Sequence, residues 1–199
     1  MNIQTVIKTL FKSVALPTLM LGTLASPAVA AVEQASAPAN MVVYIAPAQY
    51  EHPIKLWHFY YSYWFEQGPV AEVVAEDVFG SEYGHVAMCT SNEAGNTLVW
   101  LKPSMFYNPH MTTYYGTVTA SVYSGSGKPL GTFVGESQKN GFLDVATNDQ
   151  IKATYKLAMQ DLAAKMNANP AFQQLVKQGI PDTETRSPCT MVTMLPSTK

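Results

Sequence analysis

The sequence predicts an α+β fold, a single domain with a mainly antiparallel sheet and helices packed on one face. Three observations predict it: a clean eleven-residue alternation at 113–123, a glycine-bearing turn behind it, and one long amphipathic stretch ending near Met166. In the alternation, Tyr114, Gly116, Val118, Ala120 and Val122 fall on one face, with Thr113, Tyr115, Thr117, Thr119 and Ser121 on the other. A period of two in β-branched and aromatic residues is the mark of a half-buried strand. Gly125-Ser126-Gly127 supplies the turn, because glycine adopts positive φ without steric cost. Leu130 to Glu136 then reads as the partner strand, with Gly131 and Gly135 marking weak points or a bulge.

The helix is read from Thr147-Asn148-Asp149, residue types that cap helix N-termini. Ile151, Tyr155, Ala158, Met159, Leu162 and Met166 recur at helical spacing, while Lys152, Lys156 and Gln160 lie off that stripe. A strand pair with one apolar face and a helix with one apolar stripe bury each other.

The N-terminus predicts export. Lys8 and Lys12 precede an apolar run from Val14 to Ala25, and Ala28-Val29-Ala30 has the small-x-small pattern of a signal-peptidase site. Residues 1–30 therefore read as a signal peptide, cleaved between Ala30 and Ala31. The apolar core, interrupted by Pro17 and Gly22, is short for a bilayer span of about 20 residues. No cysteine stands near the cleavage site, so conventional bacterial lipidation is not expected. Residues 31–40 read as a flexible leader and 41–199 as the domain. Cleavage leaves 10 basic against 14 acidic residues, and Arg186 is the one arginine in the chain. That balance argues against nucleic acid, whose phosphates require clustered Lys and Arg. No second run is apolar enough to predict a transmembrane segment. Cys89 and Cys189 would enter an oxidising compartment together, which predicts a structural disulfide.

Met41 to Ala46 reads as a buried first strand, broken by Pro47 to Pro53. Ile54 to Phe65 (IKLWHFYYSYWF) then carries seven aromatics in twelve residues and reads as a strand. Trp57, Phe59, Tyr61, Tyr63 and Phe65 would share one face, with His58, Tyr60, Ser62 and Trp64 on the other. The ordinary reading is core on one face and a covering neighbour on the other. The functional reading makes His58, Tyr60 and Trp64 a stacking platform or partner-binding patch. A short helix opens at Gly68-Pro69 with Val70, Val74 and Val78 on one face, ending at Gly80 and Gly84. Short strands follow at His85 to Cys89 and Leu98 to Tyr107, the second interrupted by Pro103. A second helix spans Ala171 to Gln178, and Cys189 to Leu195 reads as a final edge strand.

Catalytic patterns are missing. His52, His58, His85 and His110 form no HxH, HExxH or Cys/His cluster, so neither a metal nor a cofactor is expected. There is no GxSxG, and Gly127-Lys128-Pro129 is a turn rather than a phosphate loop. Glu72, Glu76 and Asp77 read as a solvated helix face.

The element order resembles small α/β envelope modules of Gram-negative bacteria: auxiliary lipoproteins of lipid-transporting ABC systems, the lipopolysaccharide-assembly lipoprotein, and lipoprotein activators of peptidoglycan synthases. Tyr60 to Phe65 leading into Gly68-Pro69-Val70, Tyr115 to Val122 with Gly127 to Leu130, and the helix Ile151 to Met166 carry the likeness. Those families also have a lipidated cysteine after the signal, which this chain lacks. The resemblance implies a non-enzymatic periplasmic protein that binds an envelope protein or lipid and supports assembly or transport. The alternatives are a small envelope hydrolase or sugar-binding enzyme using residues 54–65, and a soluble lipid carrier with an apolar cavity between helix and sheet.

Overall fold

The computed structural model describes residues 39–179 and 187–192, so the signal peptide and residues 31–38 of the leader lie outside the described residues. The chain runs β1 (Ala39–Ile45), α1 (Pro47–Tyr50), β2 (Pro53–Trp57), β3 (Ser62–Glu66), α2 (Gln67–Tyr83) and β4 (Val86–Met88). It continues β5 (Gly95–Asn108), β6 (Thr113–Ser124), β7 (Pro129–Asn140), α3 (Thr147–Asn167), α4 (Pro170–Gln178) and α5 (Pro188–Met191). The main sheet has the order β4-β1-β5-β6-β7, and β2 and β3 form a separate antiparallel pair. β1 pairs in parallel with β4 and β5, whereas β5-β6 and β6-β7 are antiparallel. The α+β class holds, with the sheet mixed.

The alternation in β6 has the expected consequence. Tyr114, Val118, Ala120 and Val122 are buried in the main core, where they meet the stripe of α3. All six stripe residues, from Ile151 to Met166, are fully buried. Burial on that scale contributes about 1.5–3 kcal/mol for each large side chain. Helix and sheet also approach closely: a Cβ on Gly135 would sit 2.1 Å from the carbonyl oxygen of Ala158. The space between α3 and β7 there is filled by backbone, which leaves no room at that point for the chamber a lipid carrier would need. α3 also shields the outer edge of β7. Asp161 accepts from the Glu136 N–H at 2.9 Å, and the Lys165 ammonium donates to the Val134 carbonyl at 2.8 Å.

Several expectations need correction. β1 begins at Ala39, which is buried, so Ala39 and Asn40 belong to the sheet rather than to a leader. β5 runs unbroken through Pro103. The partner β1 ends at Ile45 opposite Leu101, so Pro103 has a strand neighbour only on the β6 side, where it faces Val118. β7 extends past Glu136 to Asn140, and α2 passes Gly80 to stop at Gly84, whose φ is 84°. α3 does start at Thr147, but its N-cap is Ala146 and the Thr147 hydroxyl bonds the Leu143 carbonyl.

The tail differs most. Residues 188–191 are helical, where a strand from Cys189 was expected, and 193–199 lie outside the described residues. Cys89 and Cys189 are at disulfide distance, with Cα atoms 5.5 Å apart. α5 sits on the face of the sheet opposite α2 and α3. There Val192 packs with Leu98, Tyr123, Tyr44 and Trp100.

Candidate functional site: an exposed aromatic end

The aromatic run at 54–65 folds back on itself. His58-Phe59-Tyr60-Tyr61 make the turn between β2 and β3, closed by the His58 N–H donating to the Tyr61 carbonyl at 3.0 Å. The single strand read from the sequence is therefore a hairpin. No glycine, proline or asparagine marks the turn, so the alternation reads straight through it. Inward, Leu56 is fully buried, and Ile54, Tyr63 and Phe65 pack against the main core. Outward, Trp57, Phe59, Tyr60, Tyr61 and Trp64 are exposed, Tyr60 by 90%.

His58, Tyr60 and Trp64 do not form one patch. The rings of His58 and Tyr60 lie 5.9 Å apart within the turn. Trp64 sits back on β3 opposite Lys55, whose ammonium lies 5.8 Å from its ring centroid. His58 itself stacks on Tyr61 at 4.8 Å, and its Nδ1 is shielded with no hydrogen-bond partner.

Two other turns meet the hairpin tip. Phe59 lies edge-on to His110, at 4.7 Å, in the turn between β5 and β6. Met111 of that turn accepts from the Tyr115 hydroxyl through its sulfur at 3.6 Å, and Tyr115 neighbours Phe106. The segment after β7 is tied in from below. The hydroxyls of Tyr107 and Tyr114 donate to the carbonyls of Gly141 and Phe142 at 3.2 and 3.1 Å, and the Gly141 N–H donates to Thr112. Burial pushes the phenols of Tyr107 and Tyr114 up from their ordinary value, and burial followed by the Asp144 carboxylate does the same for Tyr61. All three therefore remain neutral hydroxyls at physiological pH.

The result is one end of the molecule dense in uncovered apolar side chains. Trp57, Phe59, Tyr60, Tyr61, Phe106, Met111, Phe142 and Val145 account for eight of the twelve exposed large hydrophobics among the described residues. Phe106 lies beside Tyr115 on the sheet face away from α2 and α3, and the others gather on or beside the turns. Exposed apolar side chains gathered at one end mark an interaction surface, whereas single exposed hydrophobics are ordinary. Of the hairpin residues at this end, the sequence reading named Tyr60 for binding and placed Trp57, Phe59 and Tyr61 on the opposite face of a single strand. It missed Phe106, on the outer face of β5, and His110, Met111, Phe142 and Val145; for Met111 and Phe142 the available signal was an apolar residue closely following Pro109 or Gly141.

Elsewhere the geometry is structural. Glu72 accepts from the Tyr50 hydroxyl, and that bond, with burial and the carboxylate charges, pushes the phenol up to about 12. Asp77 pairs with Lys156 across α2 and α3 at 2.7 Å, and Lys156 holds its carboxyl below the usual range. These two acids tie elements together, and Tyr155 does the same by donating to Gln67 at 2.7 Å in the core. A groove of about 470 Å³ between α2 and α3 is lined by Asp77, Ser81, Glu82, Lys156, Gln160 and Asn167, with no histidine. Among the described residues no group of three or more His, Cys, Asp and Glu side chains could hold a metal. No helix there is long and apolar enough to cross a membrane.

The chain matches no protein-family model, and no curated protein matches it. Among solved structures it is similar to protein XCC0632 from Xanthomonas campestris, described under the family model DUF330. The identity is 10%, the TM-score 0.46, and the match covers 71% of this chain and 90% of that one. A similarity at that level assigns neither family nor activity.

Proposed function

We propose that this is an exported, non-enzymatic protein of the periplasm that binds an envelope protein or lipid and supports envelope assembly or transport. The observation that carries the reading is the aromatic end, where three turns far apart in sequence hold uncovered Trp, Phe, Tyr and Met side chains together. Tyr and Trp give large contact areas at low entropic cost and keep a polar handle, which suits them to binding. The N-terminal signal pattern and the paired cysteines support an oxidising, exported setting. The hydrolase reading has less support, because His58 stacks on tyrosine and the α2–α3 groove contains no histidine.

The test is envelope retention in the source cell. The variant Trp57→Ser/Tyr60→Ser/Phe142→Ser should be exported and folded yet lose most of its association with the envelope fraction. Equal retention of variant and parent would sink the reading.

A further inference from the structure

We infer that the aromatic end seats in the interfacial layer of a zwitterionic lipid bilayer, an occupant that rests on the reading of this end as the binding surface. Charge is the first argument. Residues 56–61, 105–115 and 141–146 build the end, and across these 23 residues Asp144 is the one formal charge. Those three segments contain no lysine or arginine to recognise anionic headgroups or phosphate; Lys139, opposite Tyr114, and Lys55, two residues before Trp57, flank them, and the whole chain is net negative. Attraction must therefore come from apolar burial, and it should be insensitive to salt.

Side-chain chemistry is the second argument. Trp and Tyr concentrate at membrane–water interfaces because the ring enters the apolar layer while the N–H or O–H stays hydrated. Trp57, Tyr60 and Tyr61 supply such groups, and Phe59, Met111 and Phe142 supply purely apolar surface beside them. Shape is the third. Tyr60 projects from the hairpin turn, 90% exposed, and Phe59, Tyr61, Met111 and Phe142 stand exposed on turns, with Trp57 exposed at the end of β2. A fluid bilayer accommodates projecting tips, whereas a protein would need a matching set of pockets. The segment after β7 is held from beneath by the Tyr107 and Tyr114 hydrogen bonds, and the hairpin turn is closed by the His58 N–H to the Tyr61 carbonyl. Insertion therefore orders few new groups.

The test is flotation of the exported chain with vesicles of phosphatidylcholine and phosphatidylethanolamine, at low and high salt. The expected result is binding at both salt levels that falls at least about tenfold in Trp57→Ser/Tyr60→Ser/Phe142→Ser, since each large apolar side chain contributes substantially when buried. Depth is read separately. In a Trp64→Phe/Trp100→Phe form, Trp57 fluorescence should be quenched by brominated lipid. In Trp57→Phe/Trp100→Phe, Trp64 should be quenched less. Binding that high salt abolishes, or binding with Trp57 unquenched, overturns the inference. Absent vesicle binding also overturns it. If a photo-crosslinker at Tyr60 then still captures an envelope protein in cells, the end remains a binding surface with a protein occupant. If it captures nothing, the binding reading falls as well.

Discussion

The helix-covered face and the aromatic end use the same residue types to opposite purposes. Under α3, Tyr155 is fully buried and its hydroxyl is satisfied by Gln67. Tyr114, at the base of the aromatic end, is buried and bonded in the same way. In the hairpin turn Tyr60 stands almost wholly in solvent, and Trp57, Met111 and Phe142 are exposed as well. Apolar side chains that a helix covers are held by folding. Those that nothing in the chain covers contribute to folding only weakly and are free to contribute to binding. Stability and binding should thus be separable, region by region.

The largest effect should come from the covered face. Leu162→Ala should lose about 3–5 kcal/mol in denaturant unfolding, because it empties a fully buried site between α3 and the sheet. Next, Cys89→Ser/Cys189→Ser should lose about 2–4 kcal/mol and free the α5 tail from the opposite face. Gly135→Ala should lose about 1–3 kcal/mol as the new methyl pushes α3 from β7, and Gly135→Val more.

A smaller effect is set by pH. Burial pushes the Glu93 carboxyl up, but hydrogen bonds from the Thr90 hydroxyl and from the backbone N–H groups of Ser91, Glu93 and Thr90 outweigh it and hold it at about 2. The folded value lies below the ordinary 4.5, so the stability it confers is present above about pH 4.5 and is lost as pH falls toward 2. Its size should be about 1–2 kcal/mol, reduced by partial exposure, and Glu93→Gln should flatten that part of the stability–pH curve. The smallest effect belongs to the aromatic end. Tyr60→Ser should change unfolding free energy by no more than about 0.5 kcal/mol. A large loss there would erase the contrast between the two regions.

The two regions were also unequally legible in the sequence. α3 and β6 declare themselves because each has one covered face, and burial on one face imposes a period that can be read locally. Ile151 to Met166 all fell where the spacing put them. The hairpin hid its turn, since His58-Phe59-Tyr60-Tyr61 continue the aromatic alternation without a turn residue. Pro103 looked like a break because its tolerance depends on where β1 stops, a fact of pairing and not of local sequence. The polar end of β7, Ser137 to Asn140, carries no apolar period, yet β6 pairs with it throughout. The aromatic end was the least legible feature. It draws on residues near 59, 110 and 142, far apart in sequence, which the tertiary fold links through Phe59–His110 and through the Gly141 and Phe142 hydrogen bonds to β6 and its turn.

The most direct measurement of the central claim is in-cell photo-crosslinking from position 60 compared with position 157, an exposed leucine site on α3. The account predicts that a crosslinker at 60 captures one reproducible envelope component, protein or lipid, while the same group at 157 captures none. Capture from 157 with nothing from 60 would contradict it and move the binding surface to the helices.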